Sequence, residues 1–174
     1  MKKKDTWIYK VFFMSFFLAA LFSAGSNYVA ETFNMAALII IILIVMFVGI
    51  IFDVIGVSVL TANEATYHAK ASQKVNGARE SVNLLRNASQ VSSFCNDIIG
   101  DICGIVSGGL GAVLAMNLTS MLSINPILIT IGMASLISAI TVGCKAIGKN
   151  IALKKCDNIV FAVGKLTSLF FKQK

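Results

Sequence analysis

The stretch that decides the fold is Ser92 to Gly111, SSFCNDIIGDICGIVSGGLG. It reads as a membrane helix, yet it opens with Asn96, Asp97 and Asp101 and carries glycines at 100, 104, 108, 109 and 111. A carboxylate at membrane depth costs about 3 kcal/mol on insertion scales, so a chain keeps one there for a partner, a water-filled cavity or an ion. Asp97 and Asp101 are four residues apart, which puts them on one face of a helix. Gly100, Gly104 and Gly108 repeat with the same spacing and predict a smooth strip where another helix approaches closely. An acidic pair beside a glycine groove predicts a buried ion or proton site.

Composition sets the solvent. Of 174 residues, 57% are hydrophobic and 13% charged, with a single proline. A soluble domain is about half apolar and about a quarter charged, so this balance predicts an all-α membrane protein with about four transmembrane helices. The length leaves no room for a separate soluble catalytic domain. The net charge of +7 is no nucleic-acid signal, because the cations adjoin apolar spans and form no recognisable binding module. Cys95, Cys103, Cys144 and Cys156 form no CxxC pair and read as small apolar packing residues. His68 is the only histidine and reads as a surface residue, which leaves zinc hydrolysis without ligands. No enzyme is expected.

Outward from the deciding stretch, the chain divides into residues 1–34 and 35–174. The first part has a basic start, an apolar run from Trp7 to about Ala24, and a polar connection at 25–34. Lysines before an apolar run also open signal peptides. The length of this run and its many phenylalanines favour an uncleaved first span. Residues 35–60 form the most apolar run, broken once by Asp53 and long enough to cross the hydrocarbon core with some tilt. Asp53 and Glu64 fall on nearly the same helical face, with Gly56 nearby; Ser58 and Thr61 lie one turn apart. Residues 61–91 interleave His68, Lys70, Lys74, Arg79, Glu80 and Arg86 with apolar positions at helical spacing. They predict an amphipathic helical hairpin on the membrane face, divided at Gly77.

The third span is 92–122, and 123–126 is a tight turn that places Pro126 at the next helix start. The fourth span is 126–147, closed at the interface by Lys145 and Lys149. Residues 150–174 predict a separate amphipathic helix, with Lys154, Lys155, Lys165, Lys172 and Lys174 snorkelling from an apolar side. Lysine and arginine crowd the N-terminus, the 61–91 segment and the tail, and are missing from 25–34 and 120–126. The positive-inside rule therefore predicts a multi-pass cell-membrane protein with both termini cytoplasmic.

This order of features resembles the transmembrane domain of the CorC/cyclin M family of magnesium transporters. Three features carry the resemblance: Thr61-Ala-Asn-Glu64-Ala ending a span, a basic hairpin, and Asn96 opening the next span. Members end one helix with an S-x-x-E motif and open the next with G-N-N and a further asparagine. They are dimers that bind dehydrated magnesium among three helices through serine, asparagine and backbone oxygens. The resemblance covers about 41–171 and implies that Thr61 stands for the serine, Glu64 for the glutamate and Asn96 for the first asparagine. Cys95 replaces the glycine, Asp97 the second asparagine, and the later asparagine falls on Gly100 beside Asp101. The family's closing motif maps onto Gly143-Cys-Lys-Ala-Ile-Gly148-Lys149, with Gly148 in place of proline and no glutamate.

The resemblance implies a homodimeric transporter of divalent cations, magnesium or possibly cobalt, with Thr61, Glu64, Asn96, Asp97 and Asp101 as ion ligands. Regulation would then fall to a separate subunit. Aspartate for asparagine adds charge, which favours a divalent ion or an ammonium partner. Lys145 or Lys149 could supply that ammonium, and the acidic residues would then form internal ion pairs in a non-transporting membrane subunit or sensor. In that alternative the glycine faces and basic tail bind a partner or anionic lipid, at about 1 kcal/mol per cation for lipid.

Overall fold

A computed structural model describes the backbone of residues 2–122 and 125–170 and the side chains of 9–122 and 125–169. Of the turn expected at 123–126, residues 123 and 124 lie outside the described residues, as do Lys172 and Lys174 of the tail.

The described chain is helical throughout: α1 (Lys2–Thr32), α2 (Met35–Thr61), α3 (Glu64–Ser72), α4 (Ala78–Arg86), α5 (Ala88–Ser93), a π-helical turn (Phe94–Ile99), α6 (Gly100–Leu122) and α7 (Pro126–Phe170). Four segments are long and apolar enough to cross a membrane, namely Tyr9–Thr32, Met35–Thr61, Ala88–Leu122 and Pro126–Leu169. This is an all-α membrane protein.

Two boundaries differ from the sequence reading. The polar connection expected at 25–34 is helical up to Thr32, and the chain breaks only at Phe33 and Asn34. Nothing in that stretch excludes a helix. The Thr32 hydroxyl donates to the Tyr28 carbonyl, and the next helix starts where the Asn34 side chain accepts from the Ala37 N–H at 3.0 Å. The fourth span and the tail helix, expected to part at 147–150, stay helical up to Lys154 and part instead at a kink at Lys155, so Pro126–Phe170 is two helices run together. Residues 144–150 hold no proline, and their one glycine, Gly148, is buried against Ile50 and Val54. The backbone leaves helical geometry only at Lys155 (φ −128°, ψ 24°).

The chain forms two compact units. The first comprises the chain up to Gly49 together with Ile98–Gly143. Its core is two stripes at four-residue spacing: Leu38, Ile42 and Met46 on α2 against Ile98 of the π-helical turn and Ile102, Val106, Leu110 and Leu114 on α6. Helix α1 packs on α6 and adds Val11, Leu18 and Val29 to this core. Close approach of α2 and α6 rests on Gly49, where a Cβ would come within 2.9 Å of the Cys103 Cβ. Phe12, Phe13, Phe16 and Phe17 of α1 stay exposed, as an apolar solvent permits.

The second unit comprises Ile50–Asp97 and Cys144–Lys174. Gly77 (φ 88°) starts α4, whose Ala78, Ser81, Val82 and Leu85 form a buried helical stripe. The core gathers Val59, Tyr67, Val82, Leu85 and Val160. Tyr67 is fully buried and its hydroxyl donates to the Asp157 carbonyl at 2.6 Å. Gly164 of α7 sits on Ser81 and the Gly77 carbonyl, so the α3–α4 hairpin and α7 touch backbone to backbone.

Candidate functional site

The second unit buries a carboxylate in the most apolar helix of the protein. Asp53 of α2 is 5% exposed. Lys145 of α7 brings its ammonium to 4.0 Å from Asp53 Oδ1. Asp53 Oδ2 has no hydrogen-bond partner among the described residues. Three residues after Lys145, Gly148 seats α7 on α2: a Cβ there would come within 2.8 Å of Val54 Cγ2 and 3.4 Å of Ile50 Cγ2. That seat fixes the height at which Lys145 meets Asp53.

Gly56, one turn beyond Asp53 on the same face of α2, receives Asn96. A Cβ on Gly56 would fall on the Asn96 amide, so only glycine admits this side chain. The Asn96 Nδ2 donates to Ser92 Oγ at 3.2 Å, and its Oδ1 is buried without a donor. Asn96 lies in the π-helical turn Phe94–Ile99; such turns are rare and recur at functional positions. Two orphaned acceptor oxygens, the carboxylate of Asp53 on α2 and the amide of Asn96 against Gly56 one turn on, therefore occur along α2. Leaving a buried acceptor unmade costs about 1–3 kcal/mol, so both oxygens call for a proton donor or a cation.

The residues expected as ligands are placed as follows. Thr61, exposed at the end of α2, donates its hydroxyl to the Val57 and Ser58 carbonyls at 3.0 and 3.3 Å. Glu64 is held by His68 at 2.9 Å and Arg86 at 3.3 Å. The His68 hydrogen bond, followed by that of Arg86, outweighs partial burial and holds the Glu64 carboxyl below its ordinary range. Asp97 and Asp101 are exposed, and neither side chain makes a hydrogen bond or ion pair among the described residues. No such bond joins any two of Thr61, Glu64, Asn96 and Asp97, and no three of His, Cys, Asp and Glu gather among the described residues. Of that set, Asn96 alone presents a buried, unpartnered oxygen.

The expected packing strip divides. Gly100 is buried, whereas a Cβ on Gly104 or Gly108 would meet nothing within 4 Å. Those two glycines line a groove of about 310 Å³ with Ser107, Gly111, Thr130 and Ser138, all in the first unit. The glycines in close contact are instead Gly49, Gly56, Gly77, Gly111, Gly148 and Gly164. Lys149, Lys154 and Lys155 are exposed, as interface lysines are, whereas Lys145 is turned to Asp53.

Asp53 lies outside the expected ligand set. Its signal was present in the sequence: it is the single charge in the most apolar run. What the sequence could not give is the pairing with Lys145 across 92 positions, which depends on how α7 seats on α2. A hard cation such as magnesium takes oxygen ligands in near-octahedral geometry. Asp53 Oδ2 and Asn96 Oδ1 are oxygens of that kind, and the Lys145 ammonium is the positive charge beside Asp53. No family model, curated protein or solved structure matches this chain.

Proposed function

We propose that this chain is a multi-pass, CorC/cyclin M-like membrane transporter that takes a small hard cation as cargo at Asp53 and Asn96, with magnesium the first candidate. The observation that supports it most is two buried oxygens without donors, one on Asp53 of α2 and one on the Asn96 amide seated against Gly56 of the same helix. Asp53 supplies the charge that Asp97 and Asp101 were expected to supply, and Asn96 keeps its role. Lys145 neutralises Asp53 while the cargo is away and is displaced when it arrives, because one carboxylate cannot serve both cations at short range. The lysines and arginines of the hairpin and tail favour a cytoplasmic side for both termini by the positive-inside rule. The open face at Gly104 and Gly108 suits a second copy of the chain, since small residues let membrane helices approach closely.

Magnesium flux in proteoliposomes and magnesium-dependent melting of purified protein test this reading. Asp53→Asn abolishes both responses, and Asp97→Asn leaves them unchanged. Wild-type flux in Asp53→Asn sinks the proposal.

The 4.0 Å Lys145–Asp53 pair favours a second reading, a non-transporting subunit in which these charges are structural. Lys145→Gln separates the two: it strengthens magnesium-dependent stabilisation if Lys145 competes with cargo. It only destabilises the protein if the pair is structural.

A further inference from the structure

The turn between α3 and α4 holds Lys74 at φ 57°, in the left-handed region that favours glycine or asparagine. Lys74 closes α3 in a Schellman cap, its N–H donating to the Ala71 carbonyl at 3.0 Å and that of Val75 to the Lys70 carbonyl at 3.1 Å, at the position glycine usually fills. The turn is also fixed in place. A Cβ on Gly77 would come within 2.8 Å of the Lys165 backbone, and Gly164 lies against Ser81 and the Gly77 carbonyl. These contacts bring Lys74, Arg79 and Lys165 to one corner of the second unit. All three are exposed, and none forms an ion pair among the described residues.

The nearest carboxylate in sequence, the half-buried Glu80, pairs with none of them. The ion pairs of the hairpin lie among Glu64, His68 and Arg86 instead. Lys70 is likewise set apart, its ammonium 4.9 Å from the Phe161 ring centre and 5.5 Å from that of Tyr67. Apolar side chains adjoin the three free cations: Val75 is 38% exposed, Leu166 55% and Leu169 70%. Cations beside exposed aliphatic groups on short helices have the chemistry of a bilayer interface, where ammoniums meet phosphates and aliphatics meet acyl chains.

We propose that Lys74, Arg79 and Lys165 bind the headgroup phosphate of an anionic phospholipid, with Val75, Leu166 and Leu169 entering the acyl boundary. The site gives a reason for lysine at a capping position where glycine would be relaxed. It is independent of the cation reading at Asp53.

The test is thermal melting of the full chain in neutral detergent with added phosphatidylglycerol, phosphatidylcholine or soluble glycerol phosphate. Phosphatidylglycerol raises the melting temperature by several degrees, and the other two do not. The K74Q/R79Q/K165Q variant loses that rise, whereas Arg86→Gln keeps it. Lys74→Gly gives opposite signs in one protein: it melts higher than wild type without lipid and gains less from phosphatidylglycerol. That variant carries the test if the triple variant does not fold. An equal rise with phosphatidylcholine or with glycerol phosphate overturns the proposal, and so does a full phosphatidylglycerol response in Lys74→Gly.

Discussion

Asn96 sits so closely on Gly56 that a single methyl group added to the glycine would take the place of the asparagine amide. Helix α2 and the π-helical turn meet through that contact, and it sets where the free Asn96 oxygen lies. Gly56→Ala therefore destabilises the protein by about 1–3 kcal/mol, the usual cost of overpacking. Adding Asn96→Ala restores most of the loss, because the obstructing amide is gone. Melting temperatures of the two single variants and the double variant give the coupling directly. Additive losses would mean that the two side chains do not compete for one space.

Lys145 and Asp53 respond to substitution asymmetrically. Their side chains are 27% and 7% exposed, so removing the lysine leaves an uncompensated carboxylate in an apolar surround. Lys145→Met is expected to cost about 3 kcal/mol, the lower end for breaking a buried pair. Asp53→Asn in the same background recovers most of it, since neither charge then remains. Chemical denaturation in detergent measures both; an Asp53→Asn/Lys145→Met protein less stable than Lys145→Met alone contradicts the pairing.

Glycines respond to alanine according to what faces them. Gly164→Ala would drive a methyl group into Ser81 and the Gly77 carbonyl, and backbone cannot give way as a side-chain tip can. A loss of at least about 2 kcal/mol is expected from that overlap. Gly104→Ala and Gly108→Ala meet open space and raise helix propensity, so each gains about 0.5–1 kcal/mol. Larger residues at 104 and 108 leave monomer stability intact and abolish dimers on cross-linking in membranes, if the second copy docks there.

Tyr67 links pH to stability. Burial first, then the adjacent Asp157, pushes its phenol well above the ordinary tyrosine range. The folded state holds the proton more tightly than the unfolded chain, so the stabilisation is complete below about pH 10 and is lost as pH rises above it. Tyr67→Phe removes the 2.6 Å hydrogen bond to Asp157 and costs about 1 kcal/mol at neutral pH. It also flattens the decline in melting temperature between pH 9 and 11. A wild-type slope in that variant would assign the alkaline loss to another group.

Much of the architecture was readable because a bilayer imposes it. Apolar runs of about 20 residues, the break at Gly77 and the amphipathic pattern of 78–86 each follow from local sequence. The point where the fourth span gives way to the tail helix was harder to read: Lys145 and Lys149 look like its end, but charge does not end a helix and the kink comes at Lys155. The candidate site was half legible. Asn96 stood out by its position, and Asp53 by its isolation in an apolar run. Their association with Gly56 and Lys145 is tertiary, set by which glycine each helix offers to the next. Asp97 and Asp101 drew attention through their spacing, yet spacing on one helix does not decide which face is covered.

The contact between Tyr67 and Asp157 joins residues 90 positions apart. At a synthesis rate of about 5–20 residues per second, the α3–α4 hairpin is made roughly 5–20 s before the helix that covers its tyrosine. During that interval the apolar face of the hairpin has only lipid, the translocation machinery or a chaperone to rest on. Nascent chains arrested shortly before Asp157 should therefore be cut by protease within residues 64–86, and released chains of all 174 residues should resist.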